Sequence, residues 1–401
     1  MLENVKFEDI VYQTVDLMNV RSVREFTIPP MTYIGAGAVS CIGKVISERC
    51  EIGHVFVIMD EIIHNLDLAA PMYRSLHSRD IDWIEYIQPT GEPQSDMVEE
   101  ATRTFLHSGC DAIVAIGGGS AIDAAKAIAL LAAHPHLNVE GLIDPKNIVN
   151  KRVPFIAVPT TAGTGSEATN VTVITDAKAN IKHLIGHPSL MPDLALIDAC
   201  LMIKLPDHVT AATGVDAMTH AIEAYVATKA TPLTRALAYQ ALRMIGEALP
   251  IAVGQGTNMQ AREDMALASY MAGTAFSNAG LGLVHSMSHQ VGARYHVAHG
   301  VVNAVILPSV MVFNQLVCKR DYAEIGLALS GELLDAGQTI AYIQNMITSL
   351  GLPANLSELG ANPDDFEQLA DQAMKDYCLP TTPRTVTKQQ IVQLYRHAYD
   401  R

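Results

Sequence analysis

Asp216 and His220 stand four residues apart in GVDAMTHAIEAY, His285 and His289 repeat the spacing in GLVHSMSHQ, and His299 follows in HVAHG. On a helix, residues i and i+4 share a face, so each pair projects together. A carboxylate oxygen with neutral imidazoles and no thiolate suits Fe(II), Zn(II) or another first-row dication. One such pair is commonly no more than a satisfied polar face. An acid and several histidines gathered from helices of an otherwise apolar region are harder to account for without a metal.

A second chemistry is offered by Gly117-Gly118-Gly119-Ser120, which closes the apolar run DAIVAIG and opens SAIDAAKAIAL. Glycines let a backbone approach a pyrophosphate, and a helix start presents unpaired N–H groups. The plainer alternative is a tight turn with Ser120 as N-cap; the run is not the G-x-G-x-x-G fingerprint. The turn from Pro159 to Glu167, PTTAGTGSE, follows another strand-like run with three Thr, one Ser and two Gly, a dense donor set where ligands bind open α/β sheets. Asp60 ends HVFVIMD, where a carboxylate can accept from ribose hydroxyls and repel a 2'-phosphate, predicting NAD(H) over NADP(H). It can equally be an N-cap for EIIHNLDL.

These residues need a frame. Strand-like runs at HVFVIMD, DWIEYIQ, DAIVAIG, PFIAVPT and LALID alternate with helix-period segments such as SDMVEEATRTFLHSG, which predicts a parallel sheet covered on both faces. Past Leu205, Ala/Leu/Met-rich helical stretches take over. The expected plan is an N-terminal extension over 1–25, an α/β dinucleotide-binding domain over 26–205, and an all-helical metal-binding and substrate domain over 206–401.

With 401 residues, 49% of them hydrophobic, the chain can bury a large core. A formal net charge of −15 opposes binding to nucleic acid or anionic lipid and leaves small molecules as the expected partners. Six scattered cysteines without a C-x-x-C pair argue for a reducing compartment. No apolar run is expected to approach the ~20 residues that a spanning helix needs, and the start MLENVKFEDIVYQ is too acidic and too polar for a secretory signal; the expected location is the cytoplasm.

Together GGGSAIDAAKAIAL, PTTAGTGSE, ATGVDAMTHAIEAY, GLGLVHSMSHQVG and HGVVNAVILP resemble the iron-containing (group III) alcohol dehydrogenases over nearly the whole chain. Within that family the ethanolamine-utilisation branch is most similar, with the lactaldehyde and propanediol oxidoreductases next. The resemblance implies a dehydroquinate synthase-like fold, NAD, and Fe(II), or Zn(II), on Asp216, His220, His285 and His299. It implies dinucleotide contacts from Asp60, Gly118, Gly119, Ser120, Asp123, Thr160, Thr161, Thr164 and Lys182. His289 corresponds to a non-ligand histidine near the substrate and is the expected proton relay; His296 receives no role. A small alcohol or aldehyde, a homodimer or larger assembly, and association with a bacterial microcompartment are implied as well.

Two positions depart from the family pattern. Gly91-Glu92-Pro93-Gln94 replaces its P-N-P-T turn and sets a carboxylate near the expected dinucleotide, and Thr382-Pro383-Arg384 replaces N-P-R. Residues 1–25, apolar at roughly helical spacing, are expected to pack on their own domain or a second subunit, or to dock onto a shell. A dehydroquinate-synthase-type lyase is the rival enzyme, but Asp207 to Ser309 lacks the clustered Lys and Arg that a phosphorylated anion requires. A non-catalytic shell-associated protein is the other rival.

Overall fold

The computed structural model describes residues 24–50, 52–176 and 181–400, so the expected N-terminal helix lies almost wholly outside the described residues. The α/β half holds strands β1 (Met31–Ile34), β2 (His54–Asp60), β3 (Asp82–Gln88), β4 (Ala112–Gly117), β5 (Phe155–Pro159), β6 (Val171–Asp176), β7 (Ile181–Gly186) and β8 (Leu194–Ile197). Six of them form one parallel sheet in the order β1-β8-β5-β4-β2-β3. The inner strands are apolar at nearly every position because helices cover both faces.

Side chains alternate across that sheet. Phe56, Ile58, Ile113 and Phe155 meet Val98, Ile122 and Ile128, from α4 (Ser95–Ser108) and α5 (Gly119–Ala132). Val55, Val57, Met59 and Val114 turn to the opposite face, to Ile42, Ile46, Met72 and Leu76 of α1 (Ile42–Arg49) and α3 (Ala70–His77). The short α2 (Glu61–Asn65) leaves the end of β2. β6 and β7 form a separate antiparallel hairpin, tied to the turn after β3 by Thr175 N–H donating to Pro93 O at 2.9 Å.

The helical half comprises α6 (Asp207–Val226), α7 (Pro232–Gly254), α8 (Met259–Ala279), α9 (Leu283–Tyr295), α10 (His299–Ser330), α11 (Ala336–Ser349), α12 (Phe366–Ala373) and α13 (Lys388–Asp400). Small residues let α6 sit at its centre: Ala211, Ala217, Ala221 and Ala224 are all fully buried. α10 is long and apolar enough to cross a membrane by length and composition, which corrects the expectation that no apolar run approaches that length. Two thirds of its most apolar window is buried inside the protein. Pro308 and a non-helical Cys318 interrupt it.

Candidate active site and metal centre

α6 places Asp216 and His220 one turn apart, while His285 enters in the first turn of α9 and His299 begins α10. Gly300 permits the convergence: a Cβ there would lie 2.1 Å from Ala212 O on α6, so any larger residue would push His299 away from Asp216. Ligand atoms of Asp216, His220, His285 and His299 all lie within 4.8 Å of one another. Asp216 Oδ1 is 3.8 Å from His220 Nε2, 4.0 Å from His285 Nε2 and 3.6 Å from His299 Nε2. Four donors around one ion at bonds of ~2.1 Å would be about 3.4 Å apart. The set fits a small divalent cation.

The surrounding shell orients these rings. Glu223, one turn past His220, accepts from Gly282 N–H and Val284 N–H and lies 2.6 Å from His285 Nδ1, leaving His285 Nε2 for the centre. His220 Nδ1 is 3.2 Å from Gly163 O, which joins the cluster to the PTTAGTGSE turn. Asn303, fully buried one turn beyond His299, donates to Asp216 Oδ1 at 2.7 Å, and its own Oδ1 has no hydrogen-bond partner among the described residues. Desolvation holds His285 and His299 well below the ordinary histidine range, and for His299 the Asp216 carboxylate opposes this without reversing it. Neutral imidazoles are the form that binds a metal. Burial pushes the Glu223 carboxyl up to about 7, against the lowering effect of its N–H donors.

His289 stands beside the cluster, its ring stacked on that of His299 at 5.2 Å between centroids. Its Nδ1 is 2.9 Å from Asp376 Oδ2. Burial raises the Asp376 carboxyl, but hydrogen bonds from His289 and Cys378 outweigh it and hold it below the usual range. A cavity of about 560 Å³ is lined by His289, Asp376 and Lys182. A second, of about 460 Å³, shares Leu184, Lys375, Asp376 and Tyr377 with it and extends to Phe276, whose ring stacks on His220 at 4.5 Å.

The other predicted residues collect at the strand ends. α5 begins with Gly118 as N-cap and no side-chain cap, so Ser120 lies inside the helix instead of capping it. Thr160 N–H donates to Gly117 O, Thr161 lies over Gly118, and Thr164 packs so closely on Gly119 that a Cβ there would meet it at 2.7 Å. Gly165, at φ +61°, lets this turn touch Gly273 of α8. Asp60 Oδ1 caps α2 through Ile63 N–H. Asp123 turns toward the hairpin, accepting from Ser166 Oγ and Val173 N–H. Lys182 is paired with Glu92, which also accepts from Thr175 Oγ1. Arg384 stacks on Phe313 at 3.8 Å.

Sequence reasoning missed Glu223, Asn303 and Asp376. Glu223 and Asn303 carried one usable signal, since each lies one helical turn from a predicted ligand; Asp376 carried none.

The model of the iron-containing alcohol dehydrogenases matches residues 29–199, and that of the C-terminal part of the same family matches 210–399. The probable alcohol dehydrogenase EutG of Salmonella typhimurium is 44% identical over 393 residues, 98% of this chain and 99% of that protein. This chain belongs to the iron-containing alcohol dehydrogenase family. The family includes the NAD-dependent methanol dehydrogenase of Bacillus methanolicus, 40% identical over 93% of this chain and 99% of that one. A crystal structure of 1,3-propanediol oxidoreductase superimposes with a TM-score of 0.90 at 33% identity, covering 94% of this chain and all of that one. As an iron-containing alcohol dehydrogenase, the chain is an oxidoreductase with an α/β half followed by a helical half.

Proposed function

We propose that this chain transfers a hydride between NAD(H) and a small primary alcohol/aldehyde pair such as ethanol and acetaldehyde, with Fe(II) held by Asp216, His220, His285 and His299. The carrying observation is the convergence of those donors beside the cavity lined by His289 and Lys182. Bound there, the ion supplies Lewis acidity that lowers an alcohol's pKa or polarises an aldehyde carbonyl. Gly118, Gly119 and Ser120 offer uncapped N–H groups at the start of α5 to the pyrophosphate. Thr160, Thr161 and Thr164 line the adjoining turn, and Asp60 receives ribose hydroxyls. Asp123 acts at one remove through Ser166, and Lys182 reaches the dinucleotide on leaving Glu92. His289 carries the hydroxyl proton between substrate and solvent.

In this reading residues 26–205 serve the dinucleotide and 206–401 serve metal and substrate. The similarity over nearly the full chain to EutG, a probable alcohol dehydrogenase, supports an alcohol or aldehyde substrate. A two-carbon substrate, a place in ethanolamine utilisation, a cytoplasmic location, a homodimer or larger assembly and association with a microcompartment shell belong to the same proposal. Asp216→Ala and His285→Ala are each expected to lose both bound iron, by elemental analysis, and acetaldehyde-dependent NADH oxidation. Full turnover by metal-free protein would overturn the reading.

A further inference from the structure

Asp376 belongs to no helix or strand. It sits in the turn after α12, where its N–H donates to Ala373 O and its carbonyl accepts from Leu379 N–H. Its Oδ1 is taken by Cys378 N–H at 2.9 Å, which fixes the carboxylate plane. The turn is anchored at its far end, where Thr381 Oγ1 donates to Leu281 O and Thr381 O accepts from Thr228 N–H. The chain at Leu281 leads directly into α9 and His285. Asp376 is therefore held in place relative to the metal cluster through the backbone that leads into His285.

The free edge of that carboxylate, Oδ2, meets His289 Nδ1 at 2.9 Å and Gln290 Nε2 at 3.1 Å. A carboxylate only accepts, so its partner nitrogen on His289 must carry the proton. The two ring nitrogens are distinct, and a hydrogen bond at one decides what the other can do.

We propose that Asp376 is the positioning residue of the proton-transfer side of this site, fixing His289 as the Nδ1–H tautomer with Nε2 left to exchange a proton in the cavity. This rests on the reading of His289 as the relay, yet the tautomer can be measured apart from turnover. In 15N-histidine spectra of protein loaded with diamagnetic Zn(II), with His289→Ala identifying the signal, wild type should show pyrrole-type Nδ1 and pyridine-type Nε2. Asp376→Asn should lose that pattern and Asp376→Glu should keep it. Asp376→Asn should also lower kcat by 10- to 100-fold with little change in KM or iron content, and should add nothing to His289→Ala. A wild-type Nε2–H tautomer, or an unchanged tautomer in Asp376→Asn, would overturn the proposal. An unaltered kcat in His289→Ala with the tautomer behaving as stated would remove the relay and leave the positioning intact.

Discussion

Glu223 shows how much of a metal centre lies outside its ligands. One carboxylate holds His285 Nδ1 and the N–H groups of Gly282 and Val284, so the ring and the first turn of α9 are set together. Partners of this kind fix the tautomer of a ligating histidine and raise its basicity. Glu223→Gln keeps the shape and removes the charge, and is expected to weaken iron binding by about 10- to 100-fold. Competition with a chelator of known affinity reads the effect; unchanged affinity would mean that the two N–H bonds are all that Glu223 provides.

Among elements, the join between α5, the PTTAGTGSE turn and the hairpin β6–β7 is built around a buried ammonium. Lys126 of α5 donates to Ser166 Oγ, Thr169 Oγ1 and Val171 O, joining helix, turn and hairpin. Burial lowers it to about 8, opposed by Asp123 and Glu167. Lys126→Met leaves the buried Asp123 carboxylate without its cation, and a loss of about 3 kcal/mol or more is expected in thermal unfolding, with iron content unchanged. Burial raises Glu167 to about 7 from 4.5. The folded chain thus keeps a proton that the unfolded chain releases above pH 4.5, a contribution complete below about 4.5 and lost as pH rises through about 7. The whole effect is at most about 3 kcal/mol. The Tm of Glu167→Gln relative to wild type should rise from pH 5 to pH 7.5, because only wild type loses stability over that range, and a constant difference would contradict the assignment.

Across the whole molecule, the metal centre is also a clasp. Its donors come from α6, α9 and α10, and its link to Gly163 reaches the α/β half. A ligand that binds only the folded chain stabilises it by about 4 kcal/mol at a thousandfold excess over Kd, which for a chain of this size is a Tm shift of about 5 °C. Calorimetry before and after chelation should show that loss and its recovery on adding Fe(II). An equal Tm in both states would mean that the four side chains are held by packing alone.

Features that depend on neighbours in the chain could be read from the residues alone. Parallel strands buried on both faces must be apolar throughout, so HVFVIMD, DAIVAIG and PFIAVPT were legible; the spacing of Asp216 and His220 on one helix was too. β1, with four residues, and the mixed-polarity hairpin β6–β7 lack a clear period and went unread. Which groups meet across distant segments followed from the packing of the folded chain. Glu223 finds His285 62 residues away, and Asp376 finds His289 from 87. Asp123 faces Ser166, and Glu92 closes on Lys182. The reason is geometric: a hydrogen bond forms only within about 3 Å, and whether two remote side chains come that close depends on how helices pack, which no local pattern of residues encodes.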